Sequence, residues 1–226
     1  MPRPSTPSVR TLASLVASLL ALSVLAGCGG DDSEDPAPRS TGPETQGRIV
    51  QSGFGQREQF VWVTALVEND SDHGGQTATV AFKVLDADGA VIGRATEHWT
   101  FSWTSQVVAI GTQVQLKVGQ EAASVEPTLT IKDDDPRPST PQVPTVQVRP
   151  KQQTGGAYTA RVRVTNPTEL VLQRAMVGMA CFTGTGEISG GGVAYSASID
   201  PGKSVEVEPG LLIGPDTETC TAYVAP

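Results

Sequence analysis

The strongest constraint in this chain is a pattern of alternating apolar residues that occurs twice, with a constant shift of 97 positions. In the first copy Val61, Val63, Ala65 and Val67 alternate along one face and run into Asn69. In the second, Tyr158, Ala160, Val162 and Val164 alternate likewise and run into Asn166. Ala78, Val80, Phe82 and Val84 return as Ala175, Val177, Met179 and Cys181. Asp88-Gly89 and Thr185-Gly186 then mark a turn in each copy, where glycine supplies the positive φ of a tight hairpin. Ile49 and Val146 match as first strands. Period-2 alternation on consecutive runs joined by polar turns predicts half-buried antiparallel strands. The shared spacing predicts a duplicated unit. The register weakens after about Arg94, where the first copy has different turn residues.

Composition agrees with short strands and many turns. Of 226 residues, 24 are Gly and 17 are Pro, and helix formers are not grouped into amphipathic runs. Two stretches read as connectors. Residues 28–47 hold Asp31, Asp32, Glu34, Asp35 and three prolines with almost nothing apolar. Such a segment cannot bury enough surface to offset its ordering entropy and reads as a disordered acidic tether. Residues 134–144 are rich in proline, which stiffens them towards polyproline II, and read as a linker. The expected units are therefore 48–133 and 145–226. The formal charge of −8, or −10 without the first 27 residues and their two arginines, repels phosphate backbones and anionic lipid headgroups, so neither is an expected partner.

The N-terminus carries a second signal. Arg3 and Arg10 precede an apolar run from Leu12 to Leu25, followed by Leu25-Ala26-Gly27-Cys28. A run of about 14 residues is short of the roughly 20 that span a bilayer. The arrangement resembles the lipobox of a bacterial lipoprotein signal peptide. What the resemblance implies is cleavage after Gly27, diacylglycerol on Cys28 and attachment to the extracytoplasmic face of the cell membrane. Two acyl chains suffice for stable anchoring where one is marginal. A further resemblance lies in Phe82-Lys83-Val84-Leu85-Asp86, which is similar to the Phe-x-Leu-Tyr-Asp signature of FxLYD domains, with Val for Leu and Leu for Tyr. The second copy has the degenerate Met179-Ala180-Cys181-Phe182-Thr183, and its Ile199-Asp200-Pro201-Gly202 resembles the turn that family uses before a late strand. That resemblance implies two small tandem immunoglobulin-like β-sandwiches without catalytic residues.

Outside the cytoplasm the remaining cysteines, Cys181 and Cys220, form an even pair, and alternation places both on inward faces. A disulfide between them is expected; two reduced, buried thiols are the alternative. Asp86-Ala87-Asp88-Gly89 has the start of a calcium loop but lacks its third ligand and distal Glu, so it reads as a hairpin turn. His73 and His98 have no His or Cys partner at metal spacing, and neither a nucleophile elbow nor a P-loop occurs. No metal, cofactor or enzymatic activity is expected. Asp72-His73 beside nearby serines is the nearest approach to part of a triad.

Three tryptophans, Trp62, Trp99 and Trp103, all lie in the first copy. Trp99, Phe101 and Trp103 alternate on one face, read as core, with a binding surface as the alternative. Trp62 and Leu66 alternate opposite the inward valines. They would form either a partner surface or a face covered by the second copy. The expected function is a non-enzymatic binding or scaffolding module of the cell envelope, with a protein or glycan partner. The alternative is an accessory or substrate-handling subunit of an envelope enzyme or transporter.

Overall fold

The structure, a computed structural model, describes residues 47–102, 106–133, 135–139, 142–154 and 156–225. Every regular element among them is a strand. Six belong to the first half: β1 (Gly47–Arg57), β2 (Phe60–Asn69), β3 (Thr77–Leu85), β4 (Val91–Thr100), β5 (Val107–Gln115) and β6 (Ser124–Lys132). They form two antiparallel sheets, ordered β1-β2-β5 and β4-β3-β6. The residues that alternate inward meet between these sheets: Val61, Val63, Ala65 and Val67 from β2 face Ala78, Val80, Phe82 and Val84 from β3. Phe101 and Ile110 complete this core, and all ten side chains are buried.

The second half repeats the order with shorter pieces. Its strands are β7 (Val146–Val148), β8 (Lys151–Gln152), β9 (Tyr158–Thr159), β10 (Val162–Thr165), β11 (Met176–Thr183), β12 (Ile188–Tyr195), β13 (Ser204–Val207), β14 (Gly210–Ile213) and β15 (Thr217–Ala225). A seven-stranded sheet, β7-β15-β11-β12-β14-β9-β8, and the pair β10-β13 enclose a second core around Val162, Val164, Val177, Met179 and Ile199. β7 and β8 end the sheet on opposite sides, yet only Arg149 and Pro150 separate them. Three peptide links reach at most about 11 Å, so the sheet must curl until its two ends meet.

The duplication extends further than the residue pattern suggests. Phe82 pairs with Ala95 and Thr79 with His98; their counterparts, Met179 with Gly192 and Met176 with Tyr195, keep the shift of 97 well past Arg94. A register irregularity falls after Val84 on β3 and after Cys181 on β11, again the same position. Ala65 opposite Ile110 matches Val162 opposite Val207. The first and last strands depart from this plan: β1 pairs with β2, whereas β7 pairs with β15, and the last strand slips. Val84 faces Val125, while Cys181 faces Cys220 rather than Ala222, a shift of two that leaves inward residues inward.

One difference is physical rather than statistical. β2 and β5 are continuous, but each of their counterparts divides and passes from the large sheet to the small one. Pro209 stands at the break between β13 and β14, where it cannot donate to a ladder, and its carbonyl accepts instead from the Ala160 amide at 3.2 Å. β9 and β10 separate at the same level.

Candidate functional site

Trp62 and Leu66 lie outside the first core, as alternation requires, but Leu66 is buried and Trp62 is half-buried. The outer face of β1-β2-β5 is covered by the outer face of β11, β12 and β15. Leu66 and Ala109 bury against Ala180 and Ile188, with Val107, Phe182 and Tyr223 packed alongside. Burial here raises the Tyr223 phenol above its ordinary pKa. Of the two readings of this face, the covered one holds, and the reason is close approach through glycine. A Cβ on Gly53 of β1 would meet the Ile188 carbonyl oxygen at 2.3 Å. One on Gly55 would meet the Ser189 carbonyl at 2.4 Å, and one on Gly191 of β12 would meet Trp62 Nε1 and Thr64 Oγ1, both at 2.9 Å. Thr64 is fully buried here, its hydroxyl 3.4 Å from the Gly190 carbonyl. Spacing of two puts Gly53 and Gly55 on one face of β1, and this was the available signal for the junction.

Cys181 and Cys220 are joined, and both are fully buried in the second core. They sit directly opposite on β11 and β15 with Cα atoms 3.9 Å apart, so the bridge ties neighbouring strands of one sheet. Cys28 and Trp103 fall outside the described residues. Phe101 is fully buried in the first core, and Trp99 is partly buried, touching both cores.

The polar loops are duplicated as closely as the cores. Asn69 is fully buried, and its Oδ1 accepts from the Ser71 amide at 3.1 Å and hydroxyl at 2.7 Å. Its Nδ2 donates to the His73 carbonyl at 3.4 Å. Asn166 makes the same set 97 residues later, accepting from the Thr168 amide and hydroxyl at 2.9 and 2.8 Å and donating to the Leu170 carbonyl at 2.7 Å. A buried amide that satisfies the backbone of its own loop fixes that corner in place of a packed side chain. Asp86 and Thr183 likewise correspond. Asp86 Oδ1 accepts from the Ala90 amide at 2.8 Å, and Thr183 Oγ1 from the Glu187 amide at 3.2 Å. Gly89 and Gly186 supply φ of 78° and 83° in these turns. The Asp86 carboxylate thus serves a hairpin.

His73 is where the copies part. Its Nδ1 lies 2.6 Å from Asp72 Oδ1, and its Nε2 lies 3.0 Å from both Asp133 oxygens. Both ring nitrogens face carboxylates, so neither is placed to take a proton from a serine. The hydrogen bonds to Asp72 and then to Asp133 raise the imidazole pKa, and the same contact lowers that of Asp72. Beyond Asp133 the connecting segment lies on this loop: Gly74 and Arg137 exchange amide hydrogen bonds of 3.0 and 2.9 Å. Further on, Val143 is buried in the second core.

On the first half the outer face of β4-β3-β6 remains open. Thr79 is flanked by His98 and Thr130, Ala81 by Thr96 and Thr128, and Lys83 by Arg94 and Glu126. The edges of this sheet are guarded. Pro127 sits mid-strand on β6, and Glu97 occupies the inward row of β4 opposite Val80. Both devices discourage an added strand. Among the described residues no group of three or more His, Cys, Asp or Glu is placed to hold a metal ion. Compared with known proteins, the chain matches no family model and no curated protein.

Proposed function

We propose that the chain is a lipid-anchored, extracytoplasmic binding or scaffolding module, built from two FxLYD-like immunoglobulin-type sandwiches and acting on a cell-envelope partner by contact. The observation that carries this reading is the division of surfaces. One face of each half is spent on the other half, through an apolar and glycine-lined junction. The polar β4-β3-β6 face is left presented on a braced pair of cores. A cross-strand disulfide in the second core agrees with an oxidising compartment. The partner meets the β4-β3-β6 face rather than its edges, because Pro127 and Glu97 oppose strand addition.

Two experiments test the reading separately. Cys28→Ala removes the acylated thiol, so the protein leaves the membrane fraction or persists as uncleaved precursor. Normal cleavage with undiminished membrane attachment refutes the anchor. A photo-crosslinking residue at Thr79 or Thr130 in intact cells captures an envelope component, while the same residue at Thr219 in the second half does not. Equal capture at all three positions refutes the assigned face.

A further inference from the structure

The open seam of the second half carries a feature that the proposed function does not use. Residues 136–168 contain Arg137, Arg149, Lys151, Arg161 and Arg163 and no acid, within a chain of net charge −8. Folding gathers three of these cations at one place. A recess of about 380 Å³ is lined by Val148, Arg149, Lys151, Thr159, Arg161 and Glu208. It forms where three strand interruptions coincide: β7 to β8, β9 to β10, and β13 to β14.

The fold itself does not require these charges. The first-half counterparts of Arg161 and Glu208 are Thr64 and Gly111, which lie in the junction and pair across β2 and β5 without charge. Arg161 stands 3.9 Å from Glu206. Arg149 and Lys151 have no ion-pair partner among the described residues. Glu208 is held in the recess by Thr159 Oγ1 at 3.3 Å and Gln153 Nε2 at 3.4 Å. Two guanidinium forks and an ammonium suit phosphate oxygens. A fixed carboxylate beside them would repel a bare anion but accept a hydrogen bond from a hydroxyl.

We propose that this recess binds a phosphate ester that carries a neighbouring hydroxyl group, either as a soluble small molecule or as a lipid headgroup. Its size is that of a small-ligand site. The proposal does not depend on the Cys28 anchor or on the β4-β3-β6 face, so either reading can fail alone.

The test uses the mature chain from Cys28 onward. Glycerol 3-phosphate is titrated by calorimetry, and phosphatidylglycerol vesicles are compared with phosphatidylcholine vesicles by flotation. Saturable binding of glycerol 3-phosphate assigns a soluble ligand; selective flotation with phosphatidylglycerol alone assigns the headgroup. In either case Arg149→Gln with Arg161→Gln weakens binding about tenfold or more, the worth of a charge-assisted hydrogen bond. Glu208→Gln, by removing a like charge, strengthens binding of inorganic phosphate. Lys151→Gln, an exposed single change that leaves both arginines and the Arg161–Glu206 ion pair in place, weakens binding in the same direction and guards against misfolding of the double variant. No saturable binding to any probe, or binding that these substitutions leave unchanged, overturns the proposal.

Discussion

The two halves share a strand plan and a core but use their outer faces in opposite ways. On the first half Trp62, Thr64, Leu66, Ala109 and Gly111 face the junction. Their counterparts on the second half are Thr159, Arg161, Arg163, Glu206 and Glu208; Arg163 and Glu206 pair as Leu66 and Ala109 do, while Arg161 and Glu208 fall at the strand breaks. The other sheet shows the reverse. Gly178 and Ala180 of β11 face the junction, while their counterparts Ala81 and Lys83 face solvent. Docking is thus head to tail: one kind of face on the first copy meets the other kind on the second. A contact of that type adds copies without limit unless the terminal faces refuse it. At the terminal faces Lys83, Arg161 and Arg163 stand where the joint has Ala180, Thr64 and Leu66. A duplicated unit can therefore keep its interior and still divide its surface into one buried joint and two open faces.

The largest expected effect tests the difference between the cores. Both are rich in valine, but the first holds Phe82 and Phe101 and the second holds a disulfide. The bridge spans a sequence separation of 39. On chain-entropy grounds it contributes about 4 kcal/mol. Reduction, or Cys181→Ala with Cys220→Ala, should lower the melting temperature of the protein by roughly 10 °C or more. Tryptophan fluorescence reports on the first half and the joint, since Trp62 lies against Gly191 and Trp99 touches both cores, whereas far-ultraviolet circular dichroism reports on both halves. If fluorescence and far-ultraviolet circular dichroism shift together, the halves unfold as one unit and the contrast between their cores has no separate thermodynamic meaning.

An intermediate effect tests the joint. Gly53→Ala places a Cβ where the Ile188 carbonyl stands at 2.3 Å, and backbone cannot turn aside as a side chain can. The expected cost is about 1–3 kcal/mol, that of overpacking. Gly210→Ala is the control on the opposite half, since its Cβ meets nothing within 4 Å. It should change stability by less than about 0.5 kcal/mol. Chemical denaturation of both variants settles the matter: equal midpoints would mean that the glycines do not set the distance between the halves.

The residues that form the cores were legible because alternation reports which face a side chain takes. What covers the other face is not in the alternation. Trp62 and Leu66 have the same spacing whether they meet solvent, a partner or the second half. The sign of the joint lay in Gly53, Gly55 and the Gly190-Gly191-Gly192 run, small residues that leave no mark on an apolar pattern. The register past Arg94 was obscured for a related reason: Glu97 and His98 on β4 stand where β12 has Ala194 and Tyr195, and Trp99 where Ser196 follows β12, so polar and apolar types do not correspond although the strand pairing does. The divided strands of the second half had a local sign in Pro209. The basic seam had only the run of cations without acids, and required the fold to bring Arg149 and Arg161 together.

The smallest effect tests the one polar loop on which the copies differ. His73 and Leu170 occupy the same corner, each offering its carbonyl to the buried asparagine. Only His73 adds an imidazole between two carboxylates, where the connecting segment begins. Its pKa is raised from an ordinary value near 6.5, first by Asp72 and then by Asp133. A raised pKa in the folded state means that protonation favours the fold. The contribution is therefore fully present below pH 6.5 and fades as pH rises through the raised value. Asp72, lowered from 3.8, gives the opposite limb: its contribution is present above that value and fades as pH falls through the lowered one. Between the two limits the clamp holds the connecting segment. Both groups are solvent-facing, so the effect belongs to local opening rather than global stability. Exchange of the Gly74 and Arg137 amides should quicken at mildly alkaline pH beyond the intrinsic increase, while exchange at the Asn166 corner should not. His73→Leu, which copies the second half, should abolish the difference. If the His73→Leu protein keeps the same excess exchange above pH 7, the imidazole has no part in holding the segment.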